Sequence, residues 1–445
     1  MVIPLARSDL ETANPKRSNF KGTGTMLVKK YSRKPWPAKA KEWSVSVATV
    51  ALVLGISSQT LAQPPISNGN VKIGVLTDMS SLYADNSGPG SVAAAQMAVA
   101  DFGGTVLGKK IEVVSADNLN KSDVGASIAN RWIDTEGVDV IVDVPNSAVA
   151  LAVQEITRTK NKIFLATGTA SSRLTADVCS PTTVHWTYDT YALAHGTGQA
   201  VVETGGDTWF FIAADFAVGA ALQGDTTAVI NAKGGKVLGG VRHPINSPDF
   251  ASYLLQAQAS KAKIIGLATA GGDMINLVKQ SSEFGVVKGG QRLAALLAFI
   301  ADIHTLGLEK AQGMMLTAAF YWDLDDKTRA WSKKFAERYP KVPTMIHAGT
   351  YGAVTHYLKA VAAAGTDDGG AVAAKMKEMP VDDFMTKGGV IRADGRLVRD
   401  MYLFQVKAPS ESHGKFDYYK LVSTIPGDQA FRPLAAGGCP LVKKN

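Results

Sequence analysis

The chain has 445 residues, with 47 Lys/Arg against 39 Asp/Glu for a formal charge of +8, and an ordinary apolar share of 46%. Ten of the basic and three of the acidic residues precede Gln63, so the remainder is close to neutral and lacks the electrostatic footprint of a nucleic-acid or anionic-membrane binder. A single core stops growing beyond about 250–300 residues, so about 380 residues after the basic arm are expected to form two lobes.

The first recognisable segment is an export signal. Lys29, Lys30, Arg33, Lys34, Lys39 and Lys41 form a basic arm, followed by the apolar run VSVATVALVLGI from Val45 to Ile56. SSQTLA then places Thr60 and Ala62 at the −3 and −1 positions of a cleavage step. A membrane anchor is the alternative, but it needs about 20 uninterrupted apolar residues, and Ser57, Ser58, Gln59 and Thr60 end this run early. Residues 1–25 have no pattern of their own, which leaves Met26 as an alternative start. The chain after Gln63 is therefore read as working outside the cytoplasm.

From there, apolar β-rich runs alternate with helical stretches. VKIGVLTD (71–78), KKIEVVSAD (109–117), VDVIVDVP (138–145) and KIFLATG (162–168) are predicted strands. Helices are predicted over 91–104, 121–137 and SAVALAVQEITRTK between them. Nearly continuous apolar strands separated by helices of 10–15 residues predict a parallel sheet in an α/β lobe. A second series runs from the helix YALAHGTGQAVVETG through strands at 208–215, KVLGGVRHP, 262–270 and 292–300, with helices between. After GMMLTAAFYW (313–322), two further helices, DDKTRAWSKKFAERYP and HAGTYGAVTHYLKAVAAAG, are expected to complete the first lobe. MYLFQVKAP (401–409) and FDYYKLVST (416–424) predict an antiparallel hairpin, and the tail from Ile425 to Asn445 is expected to be irregular.

The residues carry no enzymatic signature. HExxH, GxSxG, CxxC and GxxxxGK[ST] are all absent, and the seven His residues are too scattered for a metal cluster. No cofactor or metal is expected. One glycine string, Gly88-Pro89-Gly90-Ser91-Val92-Ala93, with Asp117 at the next strand end, resembles a dinucleotide fingerprint, but about ten residues separate it from the first strand, where that fingerprint needs its tight turn. Cys179 and Cys439 read as one disulfide in an oxidising compartment, the alternative being two buried thiols. Ligands of parallel sheets sit beyond the carboxyl ends of strands. The loops there, 79–88, 146–147, 167–175, 216–219 and 271–274, are rich in Ser, Thr, Gly and aromatic residues. Hydroxyls and free amides suit a carboxylate, with Tyr83, Phe216 and Tyr321 packing on an apolar body. The plainer role of those hydroxyls is to cap the following helices.

The run VKIGVLTDMSSLYADNSGPGSVAAAQMAVADF, with LGKKI leading into VVSADN, then VDVIVDVPNSAVALAV, FLATGTASSRLT and ADFAVGAALQGD, resembles the periplasmic substrate-binding proteins of branched-chain-amino-acid-type ABC transporters. The resemblance spans roughly residues 70–425. It implies a type I Venus-flytrap fold with parallel-sheet lobes joined by three crossovers, closing on a small ligand and delivering it to a membrane permease, the binding protein itself acting as a monomer. Residues 70–188 plus 319–397 would form one lobe, 189–318 plus 398–424 the other, and 425–445 a tail.

The same resemblance implies a pocket. Ser147, Gly168, Thr169 and Ala170 would form a carboxylate grip, flanked by Tyr83 and Asn146. Asp189 and Phe216–Val218 would face them from the second lobe, with Ala270 to Gly272 lining its far wall. Amino-acid-binding members place an acid near the segment that here reads AALLAFIAD, apolar from Ala294 to Ala301, and an aromatic residue usual near the GG loop is replaced by Ala270. A buried ammonium without a counter-charge is costly. The expected ligand is a small organic acid without an ammonium group, foremost an aromatic carboxylate. The alternatives are a branched-chain or other neutral amino acid, which Asp189 or Asp273 would have to serve, and an exported NAD-dependent oxidoreductase.

Overall fold

The computed structural model describes residues 66–443. The expected export signal, cleavage step and alternative start all lie outside these residues. Among the described residues no helix is long and apolar enough to cross a membrane.

The first sheet contains β1 (Val71–Thr77), β2 (Thr105–Val106), β3 (Lys109–Asp117), β4 (Val140–Asp143), β5 (Ile163–Ala166) and β6 (Thr183–His185) in the order β2-β3-β1-β4-β5-β6. All neighbours pair in parallel except β2, which turns back antiparallel on the edge strand β3. Every residue of β4 and β5 is buried, as expected of central strands covered on both faces. One face packs Ile73, Val75, Val142 and Leu165 against Ala95, Ala98 and Tyr357 of the helices Gly88–Phe102 and Met345–Ala364. The other packs Leu76, Ile141 and Phe164 against Trp132 and Val153 of the helices Ser122–Thr135 and Ser147–Thr159. Gly74 is what lets Trp132 lie flat on β1, since a Cβ there would approach its ring to 2.5 Å.

The second sheet contains β7 (Thr208–Ala214), β8 (Lys236–His243), β9 (Ile264–Ala268) and β10 (Arg292–Ala295), parallel and ordered β10-β9-β7-β8. Beside it β11 (Met315–Ala318) pairs antiparallel with a later strand. A small hairpin of β12 (Val390–Ile391) and β13 (Leu397–Val398) precedes β14 (Met401–Val406) and β15 (Tyr419–Ile425), which form the predicted antiparallel hairpin in the order β11-β14-β15. The chain thus passes between the two lobes three times: after β6, after β11, and between β13 and β14. The result is a two-lobed α/β fold of mostly parallel sheets.

Three local differences from the sequence pattern have clear causes. The predicted strand 292–300 stops at Ala295, and a helix begins at Ile300, because the Asp302 carboxylate accepts the Phe299 N–H at 2.9 Å and starts a turn. The first helix starts at Gly88, not Ser91, since Gly88 N–H donates to Thr77 Oγ1 at 3.0 Å. The helix predicted from Tyr191 carries a π-helical turn, Ala194–Gly198. β6, β12, β13 and the helix Gly369–Glu378 are short or Ala-rich pieces that the pattern passed over. The tail is mostly irregular, with brief turns at Gly427–Ala430 and Leu434–Ala436.

Candidate functional site

The strand ends of the first lobe are built by hydrogen bonds that consume most of their polar side chains. Asp78, fully buried at the end of β1, accepts from Ser81 N at 2.8 Å, Tyr83 N at 2.8 Å and Asn120 Nδ2 at 2.6 Å. That folds the loop tightly and presents Tyr83. At the end of β4, Asp143 and Val144 adopt left-handed backbone, φ 84° and 55°. A β-branched residue there costs roughly 1–3 kcal/mol and persists only when its surroundings over-determine it. Val144 N donates to Leu76 O at 3.0 Å, and Thr169 Oγ1 donates to Val144 O at 2.6 Å. At the end of β5, Tyr188 OH donates to Gly168 O at 2.8 Å.

These loops face the second lobe across a nearly closed cavity of about 10 Å3, room for about one water, walled by Tyr83, Asn86, Pro145, Gly168, Ala170, Tyr188 and Ile346 on one side and Val218, Ala270, Leu297 and Phe299 on the other. Tyr188 and Phe299 meet edge to face across it, their ring centres 6.0 Å apart. No wall residue is Asp, Glu, Lys or Arg. Among the described residues the amides of Thr169 and Ala170 donate to no protein acceptor; Ala170 lines the cavity and Thr169 precedes it.

The lobes touch directly around this cavity. Gly272 N donates to Leu82 O at 3.3 Å, Asn86 Nδ2 donates to Asp302 Oδ1 at 3.0 Å, and Ser172 Oγ donates to Asp225 Oδ2 at 2.9 Å. This is a closed arrangement. Two buried carboxyls lie just behind the wall. Asp143 is pushed up to about 6 by burial, against the hydroxyls of Ser87, Thr77 and Ser91 that favour its ionised form. Its Oδ1 has no partner and occupies the space where a side chain at Gly168 would begin. Asp302 is likewise pushed up to about 6 by burial, with Asn86 and the Phe299 N–H opposing.

Of the residues expected at the site, Tyr83, Gly168, Ala170, Val218 and Ala270 line the cavity. The others are placed elsewhere. Ser147 Oγ accepts from Ser171 N at 3.3 Å, tying two loops together, and the Thr169 hydroxyl fastens Val144. Asn146 caps its helix, accepting from Ala148 N and Val149 N at 3.0 and 3.1 Å. Asp189 caps the turn at Thr190, accepting from Ala192 N at 2.8 Å, and lies 3.6 Å from Arg396. Burial raises Asp189, with Arg396 opposing. Phe216 holds the N-cap position before Ala217, while Val218, two residues on, reaches the wall. Gly272 lines a separate polar hollow of about 410 Å3 at the mouth of the cleft, together with Asp273. Asp273 is occupied there by Asn246 N and Ser247 N, each at 3.0 Å. Tyr321 packs on Tyr419 with ring centres 5.0 Å apart and donates to Phe416 O at 3.2 Å.

Tyr188, Leu297, Phe299 and Ile346 are wall residues that the sequence did not single out. Leu297 and Phe299 were hidden inside a run read as strand, and Ile346 lies on a helix that joins the site only through tertiary packing. Cys179 and Cys439 are joined by a disulfide, Cα atoms 5.6 Å apart. The glycine string serves packing. A side chain at Gly90 would run into the His347 ring, and one at Gly88 would come within 2.9 Å of Asp78 O.

Comparison with known proteins agrees with this geometry. The family described as periplasmic binding protein matches residues 70–414. A crystal structure of a periplasmic binding protein from Burkholderia mallei is 52% identical, with a TM-score of 0.83, covering 84% of this chain and 100% of that one. A branched-chain amino acid ABC transporter periplasmic ligand-binding protein from Burkholderia xenovorans is 41% identical, with a TM-score of 0.75 and coverage of 84% and 100%. The same fold, at 18% identity and a TM-score of 0.71 over 81% of this chain and 97% of that one, occurs in an ABC-transporter solute-binding protein from R. palustris in complex with benzoate.

Proposed function

Since this chain belongs to the periplasmic binding protein family, whose members bind small molecules and work with ABC-transporter permeases, we propose that it captures a small aromatic carboxylate between its lobes and hands it to such a permease. The observation that carries this reading is the wall of the cavity, with three aromatic rings, aliphatic side chains and no charged residue; beside it, among the described residues, the amides of Thr169 and Ala170 are unpaired. The closed cavity has no room for an aryl ring, so the lobes part to admit one, which then packs between Tyr83, Tyr188 and Phe299 while the carboxylate takes the two amides. Hydrogen bonds to a charged partner are worth about 1.5–3 kcal/mol each. The benzoate complex of the R. palustris protein shows that this fold accommodates such a ligand. The lobe limits at 188/189, 318/319 and 397/398, the monomeric state, and cleavage of an export signal near Ala62 belong to the same proposal.

A second reading, a neutral amino acid, has one observation in its favour. The unpartnered Asp143 Oδ1 behind Gly168 is a counter-charge within one residue of the cavity. Calorimetric titration with benzoate, 4-hydroxybenzoate, leucine and NAD separates the readings. The aromatic acids are expected to bind with micromolar affinity, about −8 kcal/mol, and the others not at all. Saturable binding of leucine without benzoate would replace the first reading by the second, and binding of NAD alone would overturn both.

A further inference from the structure

The second lobe carries another cavity, of about 440 Å3, at the edge of its sheet opposite the cleft. It shares no wall residue with the interlobe cavity. Strand starts build it: Ile264 opens β9, Arg292 opens β10, and Met314 and Met315 lead into β11. Its floor is apolar, with half-buried Leu293 and Met315 lying over the buried Ile264, Val278 and Met314. Its rim is cationic: Lys288, Arg292 and Lys310 stand there against one acid, Glu309. Among the described residues none of these three cations makes an ion pair; the Arg292 guanidinium has only a long contact, 3.4 Å, to Thr204 O. Beside them Val287 stands 58% exposed on a loop held in shape by Gly285 and Gly290, φ 66° and 96°.

A hollow of this size falls within the range of small-molecule sites, about 300–1,000 Å3. An apolar floor under a ring of unpaired cations suits one chemistry, a single anionic head on an apolar body. The guanidinium fork matches a carboxylate bidentately, and flexible lysines close around it. Arg292 and Lys310 come from different elements, β10 and the helix Leu308–Ala311, so both reach the rim only because the lobe is folded.

We propose that this hollow is a second ligand site, separate from the interlobe cleft, which takes a medium-chain or aryl-alkyl carboxylate with its tail on Val287, Leu293 and Met315 and its head on Arg292 and Lys310. The site does not depend on what the cleft binds. The side chains that define it are exposed at the rim, so they can be reversed in charge without disturbing the core.

Octanoate is the probe, titrated calorimetrically into the whole protein, with octylammonium as the charge-reversed control. Octanoate is expected to bind saturably at submillimolar concentration, and octylammonium not to bind. Arg292→Glu and Lys310→Glu are each expected to weaken octanoate by about ten-fold or more, whereas Ala270→Trp, which fills the interlobe cavity, leaves it within about two-fold. Circular dichroism confirms that each variant is folded, and the two single charge reversals serve as independent checks of each other. Loss of octanoate binding in Ala270→Trp with retention in Arg292→Glu would assign the ligand to the cleft and overturn the proposal. Equal binding of octylammonium would overturn it, as would absence of saturable octanoate binding. Attachment to anionic lipid vesicles without binding of monomeric octanoate would overturn it too, since the hollow would then be part of a membrane-contacting face.

Discussion

His347 shows how a single buried ring organises the first lobe. Its Nε2 pairs with Ser87 O at 2.9 Å, and its Nδ1 accepts the Thr344 N–H at 3.2 Å. Only the neutral ring protonated at Nε2 satisfies both; a proton on Nδ1 would set N–H against N–H. Burial lowers its pKa to about 4, so the stability it contributes is complete above about 6.5 and is lost as pH falls towards 4. At about 1.4 kcal/mol per unit the loss amounts to roughly 3 kcal/mol. Asp143, Asp273 and Asp302, each pushed up to about 6 by burial, run the other way, their contribution falling as pH rises through 6. The difference in Tm between the natural protein and His347→Gln therefore isolates the imidazole. It is expected to shrink as pH is lowered from 6.5 to 4, and a constant difference would remove the imidazole from the acid response. The hydroxyl of Thr169 gives a second test at this scale. Because it holds Val144 O, Thr169→Ala is expected to lower stability by about 1–2 kcal/mol and change ligand affinity by less than about three-fold. Denaturant unfolding and calorimetry on the same variant decide between a structural hydroxyl and a ligand-gripping one.

At the scale of elements, most of the architecture is legible in the sequence. Strands buried on both faces, such as β4 and β5, announce themselves as unbroken apolar runs, and the alternation with helices dictates a parallel sheet. The stop of β10 was not legible, because a run of Ala, Leu and Phe satisfies a strand and a buried turn equally, and the deciding bond from Asp302 lies at its far end. The site divided in the same way. Tyr83 and Ala170 sit in loops at strand ends, where topology alone places a ligand; Tyr188 does so too, but after β6, a strand too short for the pattern to mark, whereas Ile346 reaches the cavity from a helix brought in by the packing of a distant segment. Asn146 and Asp189 cap the helix and turn that follow them, and Ser147 Oγ accepts from Ser171 N, roles in the backbone that the sequence offered beside the ligand-binding one. The Asn86–Asp302 bond is the clearest latch between elements of opposite lobes. Asn86→Ala is expected to favour the open form, raising the radius of gyration of the unliganded protein in small-angle scattering and weakening the cleft ligand about ten-fold. An unchanged radius together with unchanged affinity would show that closure does not depend on it.

At the scale of the whole molecule, the tail adds a fourth link between the lobes beside the three crossovers. Arg432 donates to Ser172 Oγ at 3.1 Å in the first lobe, lies 3.0 Å from Asp225 in the second, and stacks over Tyr191 with its guanidinium 5.0 Å from the ring centre. Beyond it the disulfide fastens Cys439 to Cys179. Cutting this link by Cys439→Ser is expected to lower the unfolding free energy by about 2–5 kcal/mol, read from denaturant midpoints. Arg432→Ala, which leaves the disulfide in place, tests the electrostatic half of the strap; it is expected to widen the unliganded molecule in scattering with little change in the midpoint.

The two cysteines also set an order of events in the life of the chain. Cys179 precedes its partner by 260 residues, so the pair cannot form until the intervening chain, with the strands of both lobes, has been synthesised. Both lobes can therefore be assembled before the covalent closure is made. A chain truncated before Cys439 would present Cys179 as a lone thiol, open to mixed disulfides in an oxidising compartment. The cross-link thereby distinguishes molecules that include Cys439 from fragments that stop short of it, and a thiol-reactive label applied to unfolded material would count those fragments.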